Sequence, residues 1–171
     1  HDFVDLNAVS VHLAGDDVSW AAVRALREML QTDDPNEFFI ESVLYEMLSA
    51  FAPAADQSPG SAWLQGAKTY IEANLTARHG MAQIAQVAGV HPVSLARSFR
   101  IHEGQTVGEY VNRLRVASAC QSLSDPHARI ADIATDLGYV DQSHFTRIFK
   151  NVTGLTPGIF RSVVLQSRPP A

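Results

Sequence analysis

The chain has 171 residues, 46% of them apolar and 18% charged, enough for one or two globular domains with a real core and incompatible with wholesale disorder. No apolar run approaches the ~18 residues of a membrane span, the opening HDFVDLNAVS lacks the basic and apolar regions of a secretory signal, and the single Cys120 excludes an internal disulfide or a multi-cysteine metal framework. The net charge of −5 is unevenly placed: residues 1–60 hold two Arg against eleven acids, net −9, whereas residues 61–161 hold ten Lys and Arg against seven acids, net +3, so only the second part suits a phosphate partner.

Residues 3–13, FVDLNAVSVHL, alternate partially and predict a short strand or the end of a β-rich unit. From Ser19 to Gln31, Trp20, Val23, Leu26 and Leu30 recur at helical spacing. Asp34 as cap, Pro35 at the first helical position and Glu37 in a capping-box-like place then open a second helix. In it Ile40, Val43, Leu44, Met47, Leu48 and Phe51 form an apolar stripe over three turns, which packs against the 19–31 helix or serves as a dimer seam. The text APAADQSPGS that follows reads as a linker over 53–61. Beyond it short helices are predicted at Trp63–Leu75, Met81–Ala88, Pro92–His102, Val107–Leu123, Ile130–Leu137 and Gln142–Val152, with a last turn from Pro157.

A repeat organises this second part. Ile84, Ala85 and Gly89 recur as Ile133, Ala134 and Gly138. After one extra residue, Leu95, Arg97, Phe99, Gly104, Thr106 and Tyr110 recur as Phe145, Arg147, Phe149, Gly154, Thr156 and Phe160. Each copy reads as helix, tight turn, helix: the small Ala85 or Ala134 permits a close crossing, and Gly89 or Gly138 supplies a left-handed turn. With Leu95 and Phe99, or Phe145 and Phe149, facing inward, the outer face presents Val93, Ser94, Ala96, Arg97 and Arg100 in the first copy. In the second it presents Gln142, Ser143, His144, Thr146, Arg147 and Lys150. Such a face suits a DNA major groove, where Arg pairs with guanine, Gln with adenine, and small apolar groups touch the thymine methyl. Arg100 and Lys150, one turn farther on, suit phosphate. The helix Val107–Leu123 joins the copies and spans roughly 25 Å, comparable to the ~34 Å between successive major-groove faces.

Other polar residues point elsewhere. Cys120 lies on the apolar side of the connecting helix and reads as a packed thiol. His102, Glu103 and Gly104 lack the spacing of a zinc site, and Arg113 and Arg115 read as partners of nearby acids ahead of phosphate contacts. Trp63 and Tyr70 read as core aromatics. No nucleophile with a base, phosphate loop or metal cluster emerges, so the chain is expected not to be an enzyme and to carry no cofactor.

Residues 63–161 resemble the DNA-binding domain of the AraC/XylS family of bacterial transcription regulators. The likeness is most specific over IADIATDLGYVDQSHFTRIFKNVTGLTPGIFR, residues 130–161, while VNRLRVASACQSL resembles the connecting helix. It implies an all-α fold: a seven-helix domain over 62–161 with two helix-turn-helix units joined by a long helix, followed by a tail at 162–171. Residues 1–52 are implied to be the helical end of a companion effector or dimerisation domain, and a chain that begins at His1 is expected to be part of a longer protein. The reader roles fall on Val93, Ala96 and Arg97 and on Ser143, His144 and Arg147. The implied partners are double-stranded DNA, RNA polymerase and a second copy docked through residues 18–52, with any small-molecule effector bound outside this chain; the implied setting is the bacterial cytoplasm, at the nucleoid, without a membrane. The alternative is a protein-interaction or effector-sensing module whose DNA binding is masked by the acidic part or lost. His91 and Pro92 depart from the family's usual Ser at the start of the first reader helix, and Val93 and Ala96 are smaller than its usual reader side chains.

Overall fold

The computed structural model describes residues 37–51, 62–77 and 80–167. The expected strand at 3–13, helix at 19–31, cap at Asp34 and linker at 53–61 lie outside them. The described residues are all-helical, in chain order α1 (Glu37–Phe51), α2 (Ala62–Ala73), α3 (Met81–Ala88), α4 (Pro92–Glu103), α5 (Val107–Ser122), α6 (Ile130–Asp136), α7 (Gln142–Thr153) and α8 (Pro157–Gln166). No helix among them is long and apolar enough to cross a membrane. The last expected turn is thus a ten-residue helix, opened by Thr156, whose hydroxyl accepts from the Ile159 amide, and by Pro157.

Two compact units divide the chain, one over residues 1–67 and 79–108, the other over 68–78 and 109–171. In the first, α3 and α4 form a helical pair whose buried side chains are Met81, Ile84, Ala85, Leu95, Ala96 and Phe99. The turn between them is set by Gly89 at φ 71°, with the Gly89 amide donating to Gln86 O and the Val90 amide to Ala85 O. The left-handed residue folds the chain back and satisfies carbonyls that the ended helix leaves open. In the second unit Gly138 at φ 77° does the same: the Tyr139 amide donates to Ala134 O, and α6 and α7 pack on each other. The repeat read in the sequence is therefore a repeat of backbone hydrogen bonds.

The core of the second unit gathers Val116, Ala119 and Leu123 from α5, Ile133 and Ala134 from α6, Leu137 and Tyr139 from the turn, and Phe145, Ile148 and Phe149 from α7. Its rings run as a ladder, Tyr139 to Phe145 to Phe149 to Phe160, with centroids 5.2, 5.5 and 5.5 Å apart. Aromatic contacts of this geometry contribute about 0.5–1.5 kcal/mol each beyond area burial. Cys120 packs at the edge of this cluster, and partial burial raises its thiol above the ordinary value.

Several expectations need correcting here. Arg115 does not pair with an acid. It is buried, its Nε donates to Leu75 O at 2.9 Å and its Nη2 to Ala77 O at 2.8 Å, and its guanidinium stacks 5.6 Å from the Tyr139 ring. Carbonyls in the turn after α2 have no helical partner, and a buried guanidinium with several donors satisfies two at once. Burial lowers the Arg115 guanidinium from its ordinary value, with Tyr139 acting in the opposite sense, and burial raises the Tyr139 phenol. Arg113 is exposed and lies 5.4 Å from the Tyr110 ring. Trp63 and Tyr70 are only half-buried, because α2 turns Leu64, Ala67 and Ile71 inward.

Candidate nucleic-acid interface

The second reader helix is placed by its start. Asp141 caps α7, its Oδ1 accepting from the His144 amide at 2.7 Å, and Gly154 ends the helix in the left-handed region. With Phe145, Ile148 and Phe149 held in the core, the helix turns Gln142, Ser143 and Lys150 fully outward and leaves Thr146 and Arg147 partly exposed. These five residues follow a spacing of 0, 1, 4, 5 and 8, which is one continuous stripe on an α-helix. The stripe combines an amide, two hydroxyls, a guanidinium and an ammonium, all able to donate, and carries no acid. Replacing Asp141 with alanine is expected to cost about 1 kcal/mol in urea unfolding, while Asp141→Ser retains most of the stability.

His144 is not part of this stripe. It is 7% exposed, and its ring meets Tyr139 edge-on with centroids 5.5 Å apart. The turn at Gly138 brings Tyr139 back beside the first turn of α7, and the imidazole closes over it. The expected reader role of His144 is replaced by a packing role.

The first reader helix is built alike but sits in different surroundings. Its cap is the imidazole of His91, whose Nδ1 accepts from the Val93 amide at 3.3 Å, with Pro92 at the first helical position, so capping here does differ from a Ser start. Val93 and Ser94 are partly exposed. Ala96 is 3% exposed and cannot touch a base as the chain stands.

Beside these residues α1 packs along α4. The Arg97 guanidinium donates to Ser49 O of α1. The Arg100 Nε donates to Glu46 Oε1 at 2.5 Å, its Nη2 lies 2.5 Å from the same oxygen, and its Nη1 donates to Gly104 O at 2.9 Å. Glu46 itself is 7% exposed. Two more contacts hold α1 in this unit: Glu41 Oε2 accepts from the Met81 amide at 2.9 Å, placing a carboxylate at the start of α3, and Gly108 lies against Ser42 and Phe39 so closely that a Cβ there would stand 2.6 Å from Ser42 Oγ.

This packing revises the apolar stripe expected on α1. The side it buries carries Ser42, Val43, Glu46 and Ser49, with Phe39 and Met47 packed against Val43, whereas Leu44 and Leu48 are 50% and 54% exposed and Ile40 is half-buried. Val43 is therefore unavailable to a dimer seam. The polar residues Ser42, Glu46 and Ser49, at i, i+4 and i+7, were the overlooked signal: all three are buried, the two hydroxyls donating to carbonyls within α1, to Phe39 O and Glu46 O, and the Glu46 carboxylate meeting Arg100. Among the described residues no group of His, Cys, Asp and Glu is arranged to hold a metal ion.

Comparison with known proteins agrees with this architecture. The family model of a helix-turn-helix domain matches residues 84–162. The chain is 31% identical over 111 residues to the bifunctional transcriptional activator/DNA repair enzyme AdaA of Bacillus subtilis, covering 65% of this chain and 53% of that protein. It is 35% identical over 92 residues to the HTH-type transcriptional activator AarP of Providencia stuartii, covering 54% of this chain and 68% of that one. A solved AraC-type DNA-binding regulator from Chromobacterium violaceum superposes with a TM-score of 0.58 at 27% identity, over 62% of this chain and 95% of that chain. Against AdaA the chain spans about half the relative's length. With the duplicated helix pair, its left-handed turns and these relatives taken together, the chain belongs to the AraC/XylS family.

Proposed function

We propose that the chain is a sequence-specific regulator of transcription that binds double-stranded DNA, with α7 reading one major-groove segment and α4 the adjacent one. The observation that carries this reading is the outward stripe of α7, in which Gln142, Ser143, Thr146 and Arg147 suit base edges and Lys150 suits a phosphate. In the first unit the corresponding donors are Arg97, for a base, and Arg100, for a phosphate, with Val93 and Ser94 beside them. The names of AarP and of the Chromobacterium structure support a DNA-binding activator. The reading concerns only the activator part of AdaA's double name and assigns this chain no enzymatic step. It places the chain with the bacterial DNA, with RNA polymerase as a further partner and any effector bound outside this chain. A homodimer through residues 18–52 would use Ile40, Leu44, Met47 and Leu48, since Val43 is enclosed.

The test is selection of bound sequences from a random duplex library by the whole chain, then titration of the recovered duplex between 50 and 200 mM salt. The expected result is a bipartite motif with half-sites about one helical turn apart and an affinity that falls steeply with salt, because each phosphate contact releases counterions. Lys150→Ala is expected to weaken all duplexes alike and to reduce the salt slope by about one. A folded chain that enriches no sequence, or binding insensitive to salt, would overturn the proposal.

A further inference from the structure

We infer that α1 is a built-in competitor of DNA for the first reader helix. The inference rests on the reading of α4 as a DNA reader and concerns its regulation. Arg97 and Arg100 are the two α4 side chains able to donate charge-assisted hydrogen bonds to an acceptor on DNA, and both are engaged by α1: one by the Ser49 carbonyl, the other by the Glu46 carboxylate. A carboxylate on Arg100 offers what a phosphate oxygen would offer, and a carbonyl on Arg97 offers what guanine O6 would offer. Ala96 on the same helix is 3% exposed and offers a base pair no surface in this packing. Among the described residues the α7 stripe is left open: Gln142, Ser143 and Lys150 are exposed.

The docking of α1 is built at more than one point, which separates it from a chance contact. Glu41 caps the start of α3, a helix whose own Gly80 cap has no side chain to offer. A Cβ on Gly108 would stand 2.6 Å from Ser42 Oγ and 3.1 Å from Phe39 Cα, so the absence of a side chain there lets α1 pack closely. The acidic character of the first part of the sequence thus has a local use, since two of its carboxylates lie on the helix pair that DNA would occupy. Whatever displaces α1, including movement of the chain that precedes it, uncovers Arg97 and Arg100 together. Because only the uncovered fraction binds at both half-sites, apparent affinity scales with that fraction.

Two variants of the whole chain loosen α1 by different means. Glu46→Gln removes the negative charge that faces Arg100, and Gly108→Ala forces Phe39 and Ser42 away without touching a reader residue. Each is titrated against the duplex recovered by selection and against the same duplex with either half-site scrambled. The expected result is that both variants bind the intact duplex on the order of tenfold more tightly than the unaltered chain, within the usual range of site coupling. The gain should vanish when the α4 half-site is scrambled and persist when the α7 half-site is. Amide hydrogen exchange on the unaltered chain gives a second readout, in which excess duplex should remove protection from residues 41–49. If neither variant gains affinity and α1 stays protected on DNA, the competition is refuted. Arg97→Ala tells the two levels apart: an affinity loss in the Glu46→Gln background keeps α4 as a reader even when competition fails, and no loss there removes the reader role itself.

Discussion

Replacing Gly138 with alanine is expected to cost the second unit about 3 kcal/mol, whereas the same change at Gly89 costs about 1–2 kcal/mol, although the two glycines occupy equivalent turns at φ 77° and 71°. The shared part of the loss is the strain of an L residue in the left-handed region. The difference lies in what a new Cβ meets. At Gly89 nothing stands within 4 Å, while at Gly138 the Cβ would fall 2.6 Å from Thr76 O and 3.2 Å from Arg115 Nη2. Thr76 O is backbone and cannot rotate away. If Arg115 gives way instead, its bonds to Leu75 O and Ala77 O are strained, and a buried guanidinium and two carbonyls lose partners. Leaving such groups unpaired costs about 1–3 kcal/mol. Urea unfolding of both variants by circular dichroism, with hydrogen exchange to assign the loss to each unit, decides the matter; equal losses would mean that the Thr76 and Arg115 contact is not what the glycine serves.

Removing Arg147 is expected to lower affinity for the selected duplex by about 1–3 kcal/mol, the range of a bidentate base contact, and to relax preference at one base pair. The side chain stands in the middle of the α7 stripe, flanked by Thr146 and one turn from Ser143 and Lys150, on a helix anchored by Phe145 and Phe149. Its loss should therefore change contacts without moving the helix. Repeating the selection with Arg147→Ala and comparing base frequencies position by position gives the answer. A loss of affinity equal for every sequence would assign Arg147 to the phosphate backbone, the role expected of Lys150.

The sequence made the helical skeleton readable because its boundaries are punctuated. α3 ends at Gly89, α4 starts at Pro92 and ends at Gly104, and α7 starts after Asp141 and ends at Gly154, each residue acting through its own backbone preference within a few positions. The repeat located the inward pairs Leu95 and Phe99, and Phe145 and Phe149, without any neighbour being known. What stayed hidden depended on partners distant in sequence. Nothing local to Arg97 announces that Ser49, 48 residues earlier, lies beside it. His144 looks like a surface donor until the turn brings Tyr139 against it, and Arg115 looks like half of an ion pair until the carbonyls after α2 meet it. On α1, helical periodicity drew attention to Leu44 and Leu48 because they are apolar, yet the interface selected the polar stripe. That side combines the enclosed Val43 with one ion pair, Glu46 to Arg100.

The duplicated turn has a consequence for how such a chain can change over time. The residues that set each copy's backbone, the buried Ile and Ala of the first helix, the left-handed glycine and the two inward side chains of the second helix, are not the residues that face outward. Two such cassettes give two frames whose outward positions can differ independently, one carrying the donors of α7 and the other a face that a neighbouring helix also grips. Where α4 also reads DNA, Arg97 and Arg100 serve two kinds of acceptor, so fewer side chains suit those positions than suit Gln142, Ser143 and Lys150 of α7.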